Sequence, residues 1–271
     1  MKRVDALALL TQHGKASALA GLATRLGLPL LHTDAYDTDR LGTFTGDVPR
    51  HGPPIEAALT KARLATELTG ARYGLGSEGS FGPDPYVGCT AWGLEIIVWF
   101  DSLTGQHVHA AAQGPRTNYR QQDVHHLDEV LAFAAAAGFP SHGLIIGRPG
   151  QPWFDKFLPD LNTLRQRASQ GLAQGRVWLE TDMRAHRNPT RMEMIRAAAD
   201  ALAERLAYAC PRCAAPGFGP TRLLPGARCE TCGHLTSAAR ARLLACQACA
   251  HQAEEPLRHS VPAMQCDRCN P

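Results

Sequence analysis

From residue 4 to residue 207 the apolar positions switch between two spacings. The runs "VDALALLT" (4–11), "LPLLHTD" (28–34), "HGLIIG" (142–147) and "RVWLETD" (176–182) are short and apolar, the pattern of buried strands. Between them, apolar residues fall three and four apart, as on one helix face: Leu19, Leu22 and Leu26 early on, and Ile195, Ala198, Leu202 and Leu206 at the end. Helices are also expected near 123–137 and 158–173. The last helix marks its own start, with Asn188 as N-cap and Pro189 in the first position, where a missing N–H costs little. "PPIEAALTKARLATELTG" reads as another helix with proline in its first turn. It leads into the strand "RYGLGSE" (72–78) and the loop "GSFGPDPYVGCTAW". "LEIIVWFD" and "QHVHAAA", joined by "SLTG", predict a hairpin. Strands alternating with helices imply an α/β fold, with a mixed central sheet flanked by helices.

Beyond Tyr208 the helical spacing disappears and cysteine takes over. Eight of the nine cysteines form four CxxC pairs: Cys210 and Cys213, Cys229 and Cys232, Cys246 and Cys249, Cys266 and Cys269. Fifteen residues separate the first two pairs and sixteen the last two, a zinc-ribbon spacing. Each CxxC turn presents two thiolates to one ion, and two turns complete a tetrahedral shell with no open position, so the zinc is structural. The chain therefore divides into a body (1–207) and a small tail of two zinc-ribbon modules (208–236 and 237–271) holding two zinc ions. A crossed arrangement, joining 210/213 to 246/249, satisfies the same chemistry.

Composition narrows the function. The chain has 271 residues, 44% hydrophobic and 20% charged, in the globular range. It contains no apolar run of about 18 residues, so no membrane span is expected. Its start, "MKRVDALALLTQHGK", lacks a signal peptide's apolar core, and a cytoplasmic location follows, where disulfides are disfavoured. Seven arginines against four carboxylates after Tyr208 account for the whole net charge of +3. Each Zn(Cys)₄ centre carries −2, which turns the tail negative and makes nucleic acid an unfavoured partner.

Three strand-to-helix junctions carry cations. Lys15 opens the first predicted helix in "LTQHGKAS", and a helix N-terminus with a lysine is a seat for phosphate. "ETDMRAHRNPTR" puts His186, Arg187 and Arg191 at another helix start, where arginine invites an anion or planar acceptor. Between them, Glu56 lies in the first turn of a helix that also carries Lys61, and Glu78 closes a strand. Strand ends of this kind line ligand crevices, and two carboxylates there offer oxygen ligands to Mg²⁺ and, through it, to phosphates. Each feature also has a plain reading: Glu56 complements a helix dipole, Glu78 is a solvated turn residue, and Arg187 pairs with a surface acid.

These segments together resemble the inosine/xanthosine triphosphate pyrophosphatase superfamily, the house-cleaning nucleotide hydrolases. "LLTQHGKAS" stands where that family has a T-x-N-x-x-K phosphate loop, with His13 in place of Asn. "PPIEAALTKA" matches its E-N-A-x-x-K-A helix, "GLGSEGSFG" a G-x-E-x-G strand end, and "AHRNPTRMEMI" its Ser-His-Arg base-recognition turn. With "YDTDRLGTF" and "ETDMRAHRNPTRM", the arrangement also resembles an uncharacterised bacterial family with C-terminal zinc ribbons. The resemblance implies that Glu56 and Glu78 bind Mg²⁺ and that Glu78 positions the attacking water. Lys15 and Lys61 would hold the triphosphate, and His13, His186, Arg187 and Arg191 would meet the substrate. Two functions are expected on this basis. The first is a Mg-dependent nucleoside triphosphate pyrophosphatase or related phosphoanhydride hydrolase acting on a nucleotide or other phosphorylated small molecule. The second is a non-catalytic nucleotide-binding adaptor whose zinc ribbons contact a protein or nucleic-acid partner.

Overall fold

The computed structural model describes residues 3–38, 52–147, 151 and 153–271. The segment "YDTDRLGTF" lies mostly outside the described residues. The chain divides into two compact units, 1–202 and 203–271.

The first unit begins with β1 (Val4–Leu10), α1 (Ala16–Leu26), β2 (Leu30–Thr33), α2 (Pro54–Thr69) and β3 (Ala71–Pro83). β1 lies between β2 and β3 and runs parallel to both. β4 (Ala91–Asp101) and β5 (His107–Gly114) then extend the sheet antiparallel, giving the order β2-β1-β3-β4-β5. The chain thus leaves β1 for one side and returns on the other, so the sheet reverses its winding at the carboxyl end of β1. A mixed sheet is present, as the alternation implies, but it is not the only one. β6 (Gln121–Val124), β7 (Leu144–Gly147), β8 (Phe154–Asp155) and β9 (Val177–Thr181) form a separate antiparallel sheet, ordered β6-β9-β7-β8. Helices α3 (Leu127–Ala137) and α4 (Leu161–Leu172) cover that sheet over a core containing Phe133, Leu144, Ile146, Leu164 and Leu179. α5 (Pro189–Ala207) follows the second sheet and returns to the first, where Arg191 pairs with Glu95 of β4 and Met194 packs over Gly93 of the same strand.

One sequence expectation needs correction. The glycine-rich "GSFGP" reads as loop, yet β3 continues through Glu78 to Pro83. The reason is the unbroken ladder with β4, from Tyr73 opposite Asp101 to Pro83 opposite Ala91. Only 84–90 turns, and the Asp84 carboxylate closes it by accepting the backbone N–H groups of Tyr86 (3.1 Å), Val87 (2.8 Å), Cys89 (2.8 Å) and Thr90 (3.0 Å). Those bonds, those of Val87 and Thr90 foremost, hold the Asp84 carboxyl well below the usual carboxylate range. The strand glycines have a packing role. A Cβ at Gly74 or Gly76 would collide with the carbonyl oxygens of Ala62 or Ala58 on α2, so α2 rests directly on the β3 backbone. Alternation along β3 then divides its side chains: 74, 76 and 78 face α2, while 77 and 79 face the opposite layer.

The second unit contains β10 (Gly219–Pro225), β11 (Arg228–Cys229), β12 (Ala239–Ala245), β13 (Gln252–Pro256) and β14 (Ser260–Val261). β10, β12 and β13 form an antiparallel sheet, and β11 pairs with β14 in a short parallel bridge. Among the described residues, no helix is long and apolar enough to cross a membrane.

Gly76→Ala should destabilise the first unit by about 3 kcal/mol, the range of core overpacking against backbone that cannot retreat. Chemical denaturation followed by tryptophan fluorescence measures this; a midpoint equal to wild type would show that α2 does not sit on the strand.

Candidate functional site

The body's polar residues gather where β1 ends. Parallel pairing of β1 with β3 is last seen at Leu9 opposite Leu75, and beyond it β3 is paired with β4 only. Gly14, at φ 68°, turns the chain there, and α1 starts with Lys15 at its N-cap. Such a winding reversal, at the carboxyl ends of parallel strands, is where α/β sheets hold ligands.

Two ion pairs lie on opposite faces of β3. On the α2 face, the Lys61 ammonium donates to Glu78 Oε2, both side chains largely buried. On the other face, Glu95 of β4 stands opposite Gly79, and its carboxylate receives the Arg191 guanidinium of α5. Both partners of that pair are wholly removed from solvent. A Cβ at residue 79 would strike Glu95 and Arg191, so glycine there makes the pairing sterically feasible. Arg191 also donates to the Met183 carbonyl, its backbone N–H is capped by Asn188 Oδ1 (2.9 Å), and its guanidinium lies over the Phe81 ring at 5.4 Å. Glu95 Oε2 is buried without a hydrogen-bond partner among the described residues.

Lys15 reaches into the space between these pairs. Its ammonium is 3.3 Å from both the carbonyl and the hydroxyl oxygen of Ser77. Burial lowers its pKa to about 7, and Arg191 and Lys61 push the same way against Glu95 and Glu78. His13, just before Gly14, stacks on His186 with ring centroids 5.3 Å apart. Burial lowers the His186 pKa, aided by Arg184 and Arg187.

The structure therefore brings Lys15, Lys61, Glu78, Arg191, His13 and His186 into one region, but not in the roles first expected. Glu78 lies inside a strand, paired with Lys61 and buried, and is no solvated turn residue. Glu56 is exposed in the first turn of α2. Arg191 is buried as a structural counter-ion. Arg187 points toward the second sheet's elements, donating to the Leu158 carbonyl at 3.0 Å. Sequence reasoning passed over Ser77 and Glu95. A lone acid inside the apolar run "LEIIVWFD" was the available signal, because glutamate is seldom fully buried unless paired.

In the second unit the cysteine pairs are crossed. Cys210 and Cys213 meet Cys246 and Cys249, while Cys229 and Cys232 meet Cys266 and Cys269; each set of sulfurs lies within 4.8 Å. The ribbons over 208–236 and 237–271 are thus not consecutive but interleaved. The pairing of β11 with β14 and of β12 with both β10 and β13 explains this, since it sets first beside third and second beside fourth. Sulfur separations of 3.7 Å (Cys210–Cys249, Cys213–Cys246, Cys232–Cys266) and 3.8 Å (Cys229–Cys269) are far beyond a disulfide. They match the edge of about 3.8 Å that Zn–S bonds of about 2.3 Å impose on a tetrahedron. Each tetrad can therefore hold one zinc ion with a closed shell. Among the described residues no other set of three or more potential metal ligands converges.

Crossing has a direct consequence for metal content. A chain ending at residue 236 keeps four of the eight CxxC cysteines, enough for one consecutive ribbon, yet only half of each crossed site. Elemental analysis should find two zinc ions per full chain and none tightly held by the truncated one; one retained zinc would show consecutive pairing.

No curated protein and no solved structure matches this chain. One family's sequence model, described as a domain of unknown function (DUF6671), matches residues 61–271, from Lys61 of α2 through both cysteine tetrads. That span is most of the chain, which therefore belongs to the DUF6671 family.

Proposed function

We propose that the body is a hydrolase of nucleotide phosphoanhydrides, releasing pyrophosphate or phosphate from a nucleoside triphosphate or related ligand. The observation that carries this reading is Lys15 at the first turn of α1, at the winding reversal of the sheet, with the Lys61–Glu78 pair near enough to act on its charge. Free N–H groups at a helix start and two ammonium groups favour a multivalent anion. Lys61 would turn from Glu78 toward the phosphates as they enter, leaving the carboxylate to the attacking group. Lys15 would neutralise charge that grows on the phosphoryl oxygens in the transition state. The His13–His186 stack provides a flat surface beside this seat, suited to a base. The order of the four segments that resemble the inosine/xanthosine triphosphate pyrophosphatases supports the same reading.

Magnesium fits as a companion of the ligand and not as a resident ion. Mg²⁺ is commonly held by one or two carboxylates together with substrate phosphates. Glu78 and Glu56 would be those carboxylates, and the ion would polarise the phosphoryl group. A second reading, a nucleotide-binding adaptor without turnover, is favoured by one observation: Glu78 is already engaged by Lys61. The zinc unit would then be the surface for a protein partner.

Pyrophosphate and phosphate release from a panel of nucleoside triphosphates with Mg²⁺, inosine and xanthosine forms included, decides between them. Release by the wild type that falls at least about 100-fold in Glu78→Gln supports hydrolysis, the scale on which a positioned acid or base acts. Tight binding with no product supports the adaptor.

Binding should also depend on pH in one direction. A bound anion favours the charged form of Lys15, whose pKa in the free protein is lowered to about 7 by burial and by Arg191. Affinity is therefore highest below pH 7 and falls by up to about tenfold per unit above it. Phosphate groups, with a second pKa near 6, are already ionised there. Calorimetric titration with a non-hydrolysable triphosphate from pH 7 to 9 should show this slope, and Lys15→Met should lose it.

A further inference from the structure

We propose that Ser77 is a nucleophile and that Lys15 is the base that takes its proton. Of the five lysine, arginine and glutamate side chains in the cluster, four are ion-paired: Lys61 with Glu78, and Arg191 with Glu95. Lys15 is the fifth, and among the described residues its hydrogen-bond partners are the carbonyl and hydroxyl of Ser77, each at 3.3 Å. A neutral amine suits that pair of partners. As an ammonium, Lys15 donates to both oxygens; as the neutral amine it would donate one N–H to the carbonyl and accept from the hydroxyl through its lone pair, leaving the serine oxygen free to attack.

Position supports the assignment. Ser77 sits on β3 just beyond Leu75, the last residue paired with β1, at the level where β1 has given way to the turn that carries Lys15. It lies on the face opposite Glu78, against the layer that holds Arg191. Both Lys15 and Ser77 are buried, at 7% and 4% exposure, so bulk water does not compete for the amine. Burial and the neighbouring Arg191 and Lys61 disfavour its charged form while Glu95 and Glu78 restrain that effect; the neutral fraction of Lys15, which grows as pH rises even as anion affinity falls, is the form that accepts the proton. Lysine plays this part for serine in some hydrolases with no histidine at the site.

The electrophile rests on the function proposed above. Ser77 Oγ forms a bond to a phosphorus of the anhydride, and the bond from that phosphorus to the bridging oxygen breaks. The Oγ proton passes to Lys15 Nζ, and the resulting ammonium protonates the departing phosphate. Water then attacks the phosphoserine, giving its proton to Lys15 as the P–Oγ bond breaks and Ser77 is reprotonated. Overall one water and one anhydride give two phosphates, with Ser77 and Lys15 restored. The base thus becomes a cation as negative charge builds beside it.

The experiment uses the full-length, zinc-loaded chain and a fluorophosphonate, which modifies activated serines whatever their natural substrate. The Oγ–P bond forms, fluoride leaves, and the proton goes to Lys15. Peptide mass mapping should place the label on Ser77, and Lys15→Met should slow labelling at least about 100-fold, the lower bound for a general base. Circular dichroism and zinc content serve as controls for folding, with Lys15→Gln as a second variant. An unlabelled Ser77, or equal labelling in both lysine variants, overturns the dyad. Triphosphate hydrolysis by Ser77→Ala at the wild-type rate overturns its part in turnover while leaving the hydrolase reading intact. Labelling of Ser77 without hydrolysis of any triphosphate has the opposite meaning: the dyad stands and the phosphoanhydride reading fails.

Discussion

The Glu95–Arg191 ion pair organises the body. Both groups are fully enclosed, and each charge alone would cost several kcal/mol to bury, so neither is tolerable without the other. Removing one partner of such a pair typically costs about 3–5 kcal/mol. The pair is possible only because residue 79 has no side chain. Its reach is wider than its own contact. Arg191 ties α5 to β4, and through Met183 and Asn188 it fixes the segment leading from the second sheet. That segment carries His186 back to His13 at the β1–α1 turn. A charge placed to hold a helix thereby assembles the crevice.

The same pair conditions the chemistry of its neighbour. Lys15 is enclosed with a guanidinium nearby, and its own carboxylate neighbours are already committed to other cations. In water a lysine of this kind would be an ammonium at any physiological pH. Here desolvation and residual positive charge bring the two forms into balance near neutrality. Lysine can then act as acid, base or anion ligand according to what enters, a versatility that an exposed surface lysine lacks.

The second unit solves a different problem. A span of about seventy residues with several exposed leucines cannot bury enough apolar surface to be secure by packing alone. Zinc held by the two cysteine tetrads would supply the missing stability, on the order of 10 kcal/mol or more per structural zinc in small domains. Interleaving the tetrads makes each half of one site depend on the strands that position the other. The loop closed by each site contains one CxxC pair of the other, so the two sites lock one object.

How much of this was legible beforehand varies with range. Local signals were read well: α5 opens at Pro189 after Asn188, β4 and β5 form the hairpin, and the four CxxC pairs form metal-ready tetrads. Spacing along the chain carries that information, because helix caps, strand alternation and chelating turns span only a few residues. Lys15 at a helix start and Lys61 beside Glu78 were also recognisable as a candidate anion seat. Their partners were not. Which cysteine pairs unite, that Glu95 faces Arg191, that Ser77 rather than a water-exposed carboxylate meets Lys15, and that two sheets share the work of one all depend on strands pairing across long stretches of sequence. The sequence by itself determined the elements and the kinds of chemistry available. Tertiary structure alone decided which charges are buried against which, since desolvation and Coulomb energy depend on separation in space.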